Sequence, residues 1–378
     1  MADNNNNKIL NVPPLRFPEF TDEWEKQILK EYLEENKIRN TKGWFSKKDV
    51  LSVSGDFGIV NQIEYLGRSF AGVSVANYHV VRKGDIVYTK SPLKEYPYGI
   101  VKSNKGVDGI VSTLYAVYEP KSNTISDFVE YYFALASRTN KYFKPIVRIG
   151  AKHDMKIGND EVLENFVSFP CLDEQRKISQ FLSLIEKRIA LQTKIIEKYK
   201  SLIKGIGKML MNGEPNVRLS ECLKSHSSTL QENQVAEVGM YEVFGANGKC
   251  GYVDRPLIDG ETILIVKDGS GVGNVMYRTG KYSVIGTLNY LTTNKSYCLK
   301  YLYFLLLNFN FEPYKTGMAI PHIYFKDYGK ATVYCPSLEE QIDISTKLDA
   351  LESKIETEQS FLNLLCLQKQ YLLQQMFI

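Results

Sequence analysis

The 378-residue chain holds only six cysteines and four histidines, and neither set is spaced for chemistry. Cys171, Cys222, Cys250, Cys298, Cys335 and Cys366 form no Cys-x-x-Cys pair. Scattered thiols in a chain without an export signal read as reduced cysteines, which excludes a disulfide framework and a zinc module. His79, His153, His226 and His322 lie far apart without metal-ligand spacing, so surface or loop positions are expected for most of them. Long apolar runs are missing too. The longest, Tyr301 to Phe309, is about half of the ~20 residues a membrane-spanning helix needs. The opening Met1-Ala2-Asp3-Asn4-Asn5-Asn6-Asn7 has no apolar core for a secretory signal, and a cytoplasmic location is expected.

Catalytic signatures are equally sparse. Gly269-Ser270-Gly271-Val272-Gly273-Asn274 lacks both a Gly-Lys-Ser/Thr ending and the Gly-x-Gly-x-x-Gly spacing, so it reads as a turn between strands. Gly245-Ala246-Asn247-Gly248-Lys249-Cys250 fails on spacing and places Cys where a hydroxyl is required. Glu35-Asn36-Lys37 and Glu352-Ser353-Lys354 have a nuclease-like Glu-x-Lys shape, but the first follows a helix-like acidic stretch and the second lies within a heptad repeat. No Asn-Pro-Pro-aromatic or Asp-Pro-Pro-Tyr motif is present, which argues against adenine methylation by this chain alone.

What the chain does have is one long helix written twice, 166 residues apart. The first copy opens Pro170-Cys171-Leu172-Asp173-Glu174-Gln175 and the second Pro336-Ser337-Leu338-Glu339-Glu340-Gln341. Apolar residues fall at Ile178, Leu182, Ile185, Ile189, Ile196, Tyr199, Ile203, Ile206 and Leu210, and again at Ile344, Leu348, Leu351, Ile355, Leu362, Leu365, Leu372 and Met376. Alternation of four and three is the seam of a coiled coil. The seam is broken once per copy, at Gln192 and Glu358, each near its helix midpoint. A pair centred there faces in an antiparallel or an in-register parallel arrangement. Ser337 and Glu340 have capping-box spacing, whereas Cys171 is a poor cap that Asp173 replaces.

Charge divides along the same lines. The first helix, residues 171–211, carries 9 Lys/Arg against 4 Asp/Glu, and the second, residues 335–378, carries 3 against 7. Opposite net charges favour pairing the two copies with each other. The flanking stretches are nearly neutral. Residues 1–170 hold 23 Lys/Arg against 21 Asp/Glu, and residues 212–334 hold 12 against 11. Both read as β-rich arms sharing an order of elements. Gly84-Asp85-Ile86-Val87-Tyr88 matches Gly260-Glu261-Thr262-Ile263-Leu264, and Gly109 to Leu114 matches Ser283 to Leu288. Glu130 to Leu135 and Tyr301 to Leu306 look like short buried helices. The expected layout is a first domain at 1–170 with 1–11 flexible, a helix at 171–212, a second domain at 213–334 and a helix at 335–378.

In this order of elements the chain resembles the specificity subunit of a bacterial type I restriction–modification system. The likeness rests on Val12-Pro13-Pro14-Leu15-Arg16-Phe17-Pro18-Glu19-Phe20 with Trp24, on the paired Pro-x-Leu-x-Glu-Gln helix openings, and on Gly317-Met318-Ala319-Ile320-Pro321-His322-Ile323, which resembles a closing loop of that family. The first domain departs there, with Gly150-Ala151-Lys152-His153-Asp154. The resemblance implies an α+β fold: two β-rich α/β target-recognition domains separated and held by two long helices in an antiparallel intramolecular coiled coil. Each domain would read one half of a bipartite, gapped site in double-stranded DNA. Two methyltransferase subunits would dock on the frame, and restriction subunits can join. S-adenosylmethionine, ATP and Mg2+ are expected on those partners, with no cofactor or metal on this chain and no catalytic residue in it. About 33 helical residues span on the order of 50 Å, more than one DNA turn of roughly 34 Å.

DNA contact needs cations for phosphates and fork or amide groups for base edges. The candidates are Gly-flanked clusters interleaved with tyrosine. In the first arm they are Lys47, Lys48, Arg68, Lys90, Lys94, Tyr96, Tyr98, Arg148, Lys152 and His153. In the second they are Lys249, Lys267, Ser270, Asn274, Arg278, Lys281, Lys315, His322 and Tyr324. Weakly charged arms predict weak DNA binding alone and tight binding once partners close around the duplex. The rival reading is a coiled-coil scaffold whose arms bind proteins, without DNA specificity. A fused methyltransferase–specificity chain would need a catalytic half that is absent.

Overall fold

The computed structural model describes residues 10–93, 96–149, 155–210, 212–317 and 319–378. The chain divides into two compact units, residues 1–191 with 363–378 and residues 192–362. Each unit therefore owns one β-rich arm and half of each long helix, Leu172–Leu210 and Leu338–Gln375.

In the first unit, four antiparallel strands run in the order Leu33–Glu35, Tyr115–Pro120, Ile86–Thr89, Val101–Ser103. Every residue of Ile86–Thr89 is buried, as a central strand covered on both faces must be. Beside this sheet lie a hairpin, Leu51–Ser54 with Gly58–Asn61, and a ladder of His79–Val81 with Gly109–Val111. The core is unusually aromatic: Tyr88 stacks on Phe143 at 4.4 Å, and Trp24, Phe128 and Phe169 meet edge to face. Ile178 and Leu182 from the start of the first long helix join this core, together with Leu372, Leu373, Met376 and Phe377 from the end of the second. Start meets end, so the helices pair antiparallel.

The second unit repeats the scheme. One antiparallel sheet runs Leu223–Ser227, Leu288–Thr293, Thr262–Val266, Val275–Arg278. A second runs Gly248–Val253, Tyr241–Gly245, Lys281–Val284, Ile258–Asp259, with Tyr241–Gly245 parallel to Lys281–Val284. Thr262–Val266 is buried throughout, like Ile86–Thr89 in the other arm. Here Ile344 and Leu348 of the second long helix share a core with the short helix Leu299–Leu307, and Ile203 and Ile206 pack against it. The pairing is again antiparallel.

The heptad positions face inward. Ile178, Leu182, Gln192, Ile196, Ile344, Leu348, Leu365, Leu372 and Met376 are buried, and Ile185, Ile189, Tyr199, Ile203, Ile206, Leu351, Ile355, Glu358 and Leu362 are half-buried. The Leu210 side chain lies outside the described residues. At the break in the seam, Gln192 Nε2 donates to the Glu358 backbone carbonyl (3.1 Å) and to its carboxylate. The ion pair Lys369–Glu186 (2.7 Å) crosses between the helices with the acid on the basic helix. Ser337 and Glu340 close the expected capping box, Glu340 N–H donating to Ser337 Oγ and Ser337 N–H to Glu340 Oε2.

Candidate nucleic-acid interface

The repeated Glu-Gln motif explains how each arm is held. Gln175 is fully buried; its Oε1 accepts from Ile125 N–H (3.1 Å), and its Nε2 donates to the carbonyls of Pro170 (3.0 Å) and Asn123 (3.1 Å). Gln341 does the same work, accepting from Cys298 N–H (2.9 Å) and donating to Pro336 (2.8 Å). Ile125 and Cys298 are the N-cap residues of the short helices Ser126–Tyr132 and Leu299–Leu307. Eleven residues past each glutamine, a glutamate fixes the same short helix: Glu186 accepts from Tyr131 OH (2.8 Å) and Glu352 from Tyr303 OH (2.6 Å). A glutamine and a glutamate three turns apart thus clamp one short helix to one long helix, in both arms.

Away from these clamps, the first arm gathers Lys47, Lys48 and Arg68 into one surface. Lys47–Asp49 is a 3-10 turn capped by Ser46, and Asn61 Nδ2 donates to the Lys48 carbonyl (2.7 Å). Gln62 Nε2 donates to Ser52 Oγ (3.0 Å), and its Oε1 accepts from Phe70 N–H (2.7 Å), so the segment carrying Arg68 is pinned to the hairpin. All three cations are exposed, and among the described residues none makes an ion pair. Sequence reasoning missed their apolar neighbours. Phe57, Tyr65 and Phe70 are 65%, 47% and 58% exposed. Arg68 stacks over Phe70 at 4.6 Å and Phe57 lies 5.3 Å from Tyr65.

Lys90, Tyr96 and Tyr98 do not join that surface. Lys90 is half-buried and its ammonium turns inward to the Ile157 carbonyl and Asn159 Oδ1; burial lowers its pKa. Tyr96 OH donates to the Ala134 carbonyl (2.8 Å), and Tyr98 packs on the aromatic core. Arg148 is exposed. Lys94, Lys152 and His153, with the rest of Gly150 to Asp154, lie outside the described residues. His79 departs from the expected surface or loop setting. It is 2% exposed, its Nδ1 has no hydrogen-bond partner among the described residues, and burial pulls its pKa down to about 4.

In the second arm two loops are tied together. Residues 267–274 connect Thr262–Val266 to Val275–Arg278, so the glycine-rich run is a hairpin turn, with Ser270 and Asn274 exposed. Four of its N–H groups are already taken, Gly269 donating to Pro321, Val272 to Gly269, Gly273 to Val266 and Asn274 to Gly271. A phosphate cradle needs a run of free donors, which this turn offers less well. Ile323 N–H donates to the Lys267 carbonyl, and His322 Nδ1 meets Asp268 Oδ1 at 2.7 Å. Tyr324 stacks beside His322, with centroids 6.4 Å apart. Gly317, at φ +87°, has the Ile320 carbonyl 2.3 Å from where a Cβ would sit, so this bend admits only glycine. Met318 lies outside the described residues. Lys315 pairs with Glu312 (2.6 Å) and Lys281 with Asp259 (3.7 Å). Lys249 contacts Glu242 and Tyr252 OH, and Arg278 stacks over Phe244 at 4.3 Å.

Among the described residues no group of three or more His, Cys, Asp or Glu side chains could hold a metal ion. No described helix is long and apolar enough to cross a membrane.

Comparison with known proteins bears on this arrangement. A family model, the type I restriction modification DNA specificity domain, matches residues 21–200 and again 216–365. The specificity subunit of the type I restriction enzyme EcoprrI of Escherichia coli is 27% identical over 114 residues, 30% of this chain and 28% of that protein. The HindI specificity subunit of Haemophilus influenzae is 23% identical over 156 residues, 41% of this chain and 34% of that protein. The chain thus spans about a third or less of the curated relatives it matches. In fold, it is similar to a crystal structure of a type I restriction–modification S subunit from M. genitalium, with TM-score 0.62 and 16% identity over 97% of this chain and 99% of that one. A chain from a structural study of assembly and conformational transition in a type I system gives TM-score 0.54 at 15% identity, covering 93% and 96%.

Proposed function

We propose a function on one premise: the chain belongs to the type I restriction–modification DNA specificity family, which matches it twice. Each arm reads one half of a bipartite, gapped site in double-stranded DNA, and the antiparallel helix pair sets the gap. The chain is a non-catalytic, cytoplasmic specificity subunit. It docks two methyltransferase subunits and, where present, restriction subunits; S-adenosylmethionine, ATP and Mg2+ belong to those partners.

The observation that carries this reading is a division of labour within each arm. The clamps to the long helices are the same in both, Gln175 and Glu186 against Gln341 and Glu352. The candidate contact loops differ: cations and exposed aromatics around one hairpin in the first arm, a His–Asp pair between two loops in the second. A protein that reads two different half-sites through a constant frame needs that division. A scaffold for proteins does not.

Long-read sequencing of genomic adenine methylation tests this directly, in the host and in a strain lacking the chain. The expected result is loss of one gapped, two-part motif. Exchange of residues 213–334 for another second arm should alter one half of that motif only; alteration of both halves would refute the division.

A further inference from the structure

The hairpin Leu51–Ser54/Gly58–Asn61 places a phenylalanine where a turn normally carries a polar residue. Ser54 pairs with Gly58 across the hairpin, leaving Gly55-Asp56-Phe57 as the tip. Gly58 takes φ +71°, the left-handed value that closes so short a loop. Phe57 N–H donates to Ser54 Oγ (3.2 Å), so the tip is held by its own hydrogen bonds. The Phe57 ring is 65% exposed, and its backing is the Tyr65 ring, itself 47% exposed. Tyr65 in turn sits on the helical turn Gln62–Leu66, whose start is capped by Asn61 Oδ1 accepting from Ile63 (2.9 Å) and Glu64 (3.3 Å).

An aromatic ring held in water on a stiff support loses burial energy, and nothing in the arm's packing requires it there. Exposed apolar groups of this kind mark a contact surface. The neighbourhood indicates which one. Lys47, Lys48 and Arg68 flank the hairpin without acidic partners among the described residues, which suits phosphates and opposes the core of a protein interface, where lysine is depleted. Asp56, at the tip beside Phe57, would be repelled by the backbone of a nucleic acid but can accept from a base amino group. Cations at the open end of the hairpin, with an acid and a ring at its tip, match a hairpin lying in a groove: phosphates at its base, base edges at its end.

Resting on the DNA-reading function above, we propose that Phe57 and Asp56 are specificity-determining residues of the first half-site. Phe57 packs against a base step as an apolar wedge of the kind groove-binding proteins insert, and Asp56 accepts from a base amino group next to it.

The test uses the full chain co-expressed with its methyltransferase subunits, in wild-type, F57A and D56N forms, with methylation read by long-read sequencing. The half-site belonging to the first arm is the one unchanged when residues 213–334 are exchanged. The proposal expects F57A to lower methylation at the wild-type motif by about tenfold, the loss of one good base contact. It expects D56N to relax one position of that half-site, with the other half-site intact in both variants. Circular dichroism melts equal to wild type confirm that these exposed substitutions leave the fold alone. Unchanged motif and extent in both variants overturn the proposal. So does reduced co-purification of methyltransferase subunits with the motif retained, which assigns the tip to a protein contact. A wild-type chain that yields no gapped motif sinks the DNA-reading function itself, and the proposal with it.

Discussion

Glu174 and Glu340 hold the same letter of the same repeated motif, yet their surroundings are opposite. Glu174 is fully buried, bidentate to Arg16 (2.7 and 2.6 Å) and approached by Trp24 Nε1 (3.3 Å). Glu340 is exposed and closes the capping box with Ser337. The difference comes from the segment ahead of the first arm. Arg16 and Trp24 reach across to the first long helix, and the second arm has only the short connection after Leu210 at that place. One motif therefore does two jobs. Its glutamine is a shared clamp, while its glutamate is a local adaptation to whatever chain covers it.

That contrast is easiest to break at Arg16. R16A leaves an ionised carboxylate buried without its partner, which costs about 3 to 5 kcal/mol. E340A removes the carboxylate that accepts from Ser337 N–H and Oγ, at about 1 kcal/mol. Both tryptophans, Trp24 and Trp44, lie in the first arm, so tryptophan emission during urea unfolding reports on that arm alone. An R16A transition no earlier than wild type would show that the pair is not what holds Glu174. Next come the clamps. Q175A strands the buried Ile125 N–H and two carbonyls, Q341A the Cys298 N–H and one carbonyl. Unsatisfied buried groups cost roughly 1 to 3 kcal/mol each in the worst case, so about 3 kcal/mol is expected for Q175A and about 2 for Q341A. Calorimetry in which only one variant loses stability would end the idea of a shared clamp. The tyrosines should be equal: Y131F and Y303F each remove one charge-assisted bond, about 1 to 2 kcal/mol.

How much of this was legible beforehand follows from which partners are local. The long helices, their seam and its break at Gln192 and Glu358 could be read because a heptad needs only residues three and four positions apart. The antiparallel frame followed from the family likeness, since two breaks lying at helix midpoints fit either direction. The meaning of Glu-Gln was not legible, because the partners of Gln175 and Gln341 are backbone groups some fifty and forty residues back in the chain. Lys90 looked like a free cation after a strand; its ammonium finds Asn159, nearly seventy residues on. Phe57 and Phe70 escaped because an exposed phenylalanine and a core one are the same letter. A signal did exist. Asp-Phe-Gly after Gly55 is a tight-turn sequence, and a ring inside a tight turn has no core to enter.

The smallest expected effect separates the arms by pH. His79, in the strand His79–Val81, and Asp85, just after it, are both buried; the corresponding strand of the second arm, Ile258–Asp259, carries only an exposed Asp259. Burial lowers the His79 pKa to about 4 and raises that of Asp85 to about 6. A histidine with a depressed pKa is favoured folded while neutral, so it loses stability as pH falls from about 6.5 toward 4. An acid with a raised pKa is favoured folded while protonated, so it gains stability as pH falls from about 6. Between pH 6 and pH 5 each contributes about 1 kcal/mol, with opposite signs. The two nearly cancel in the wild type. H79Q should therefore gain about 1 kcal/mol on going from pH 6 to pH 5 relative to wild type, and D85N should lose about as much. Tryptophan emission, confined to the first arm, is the readout. Parallel pH profiles for wild type and both variants would mean that neither group is charged or neutral as its burial requires.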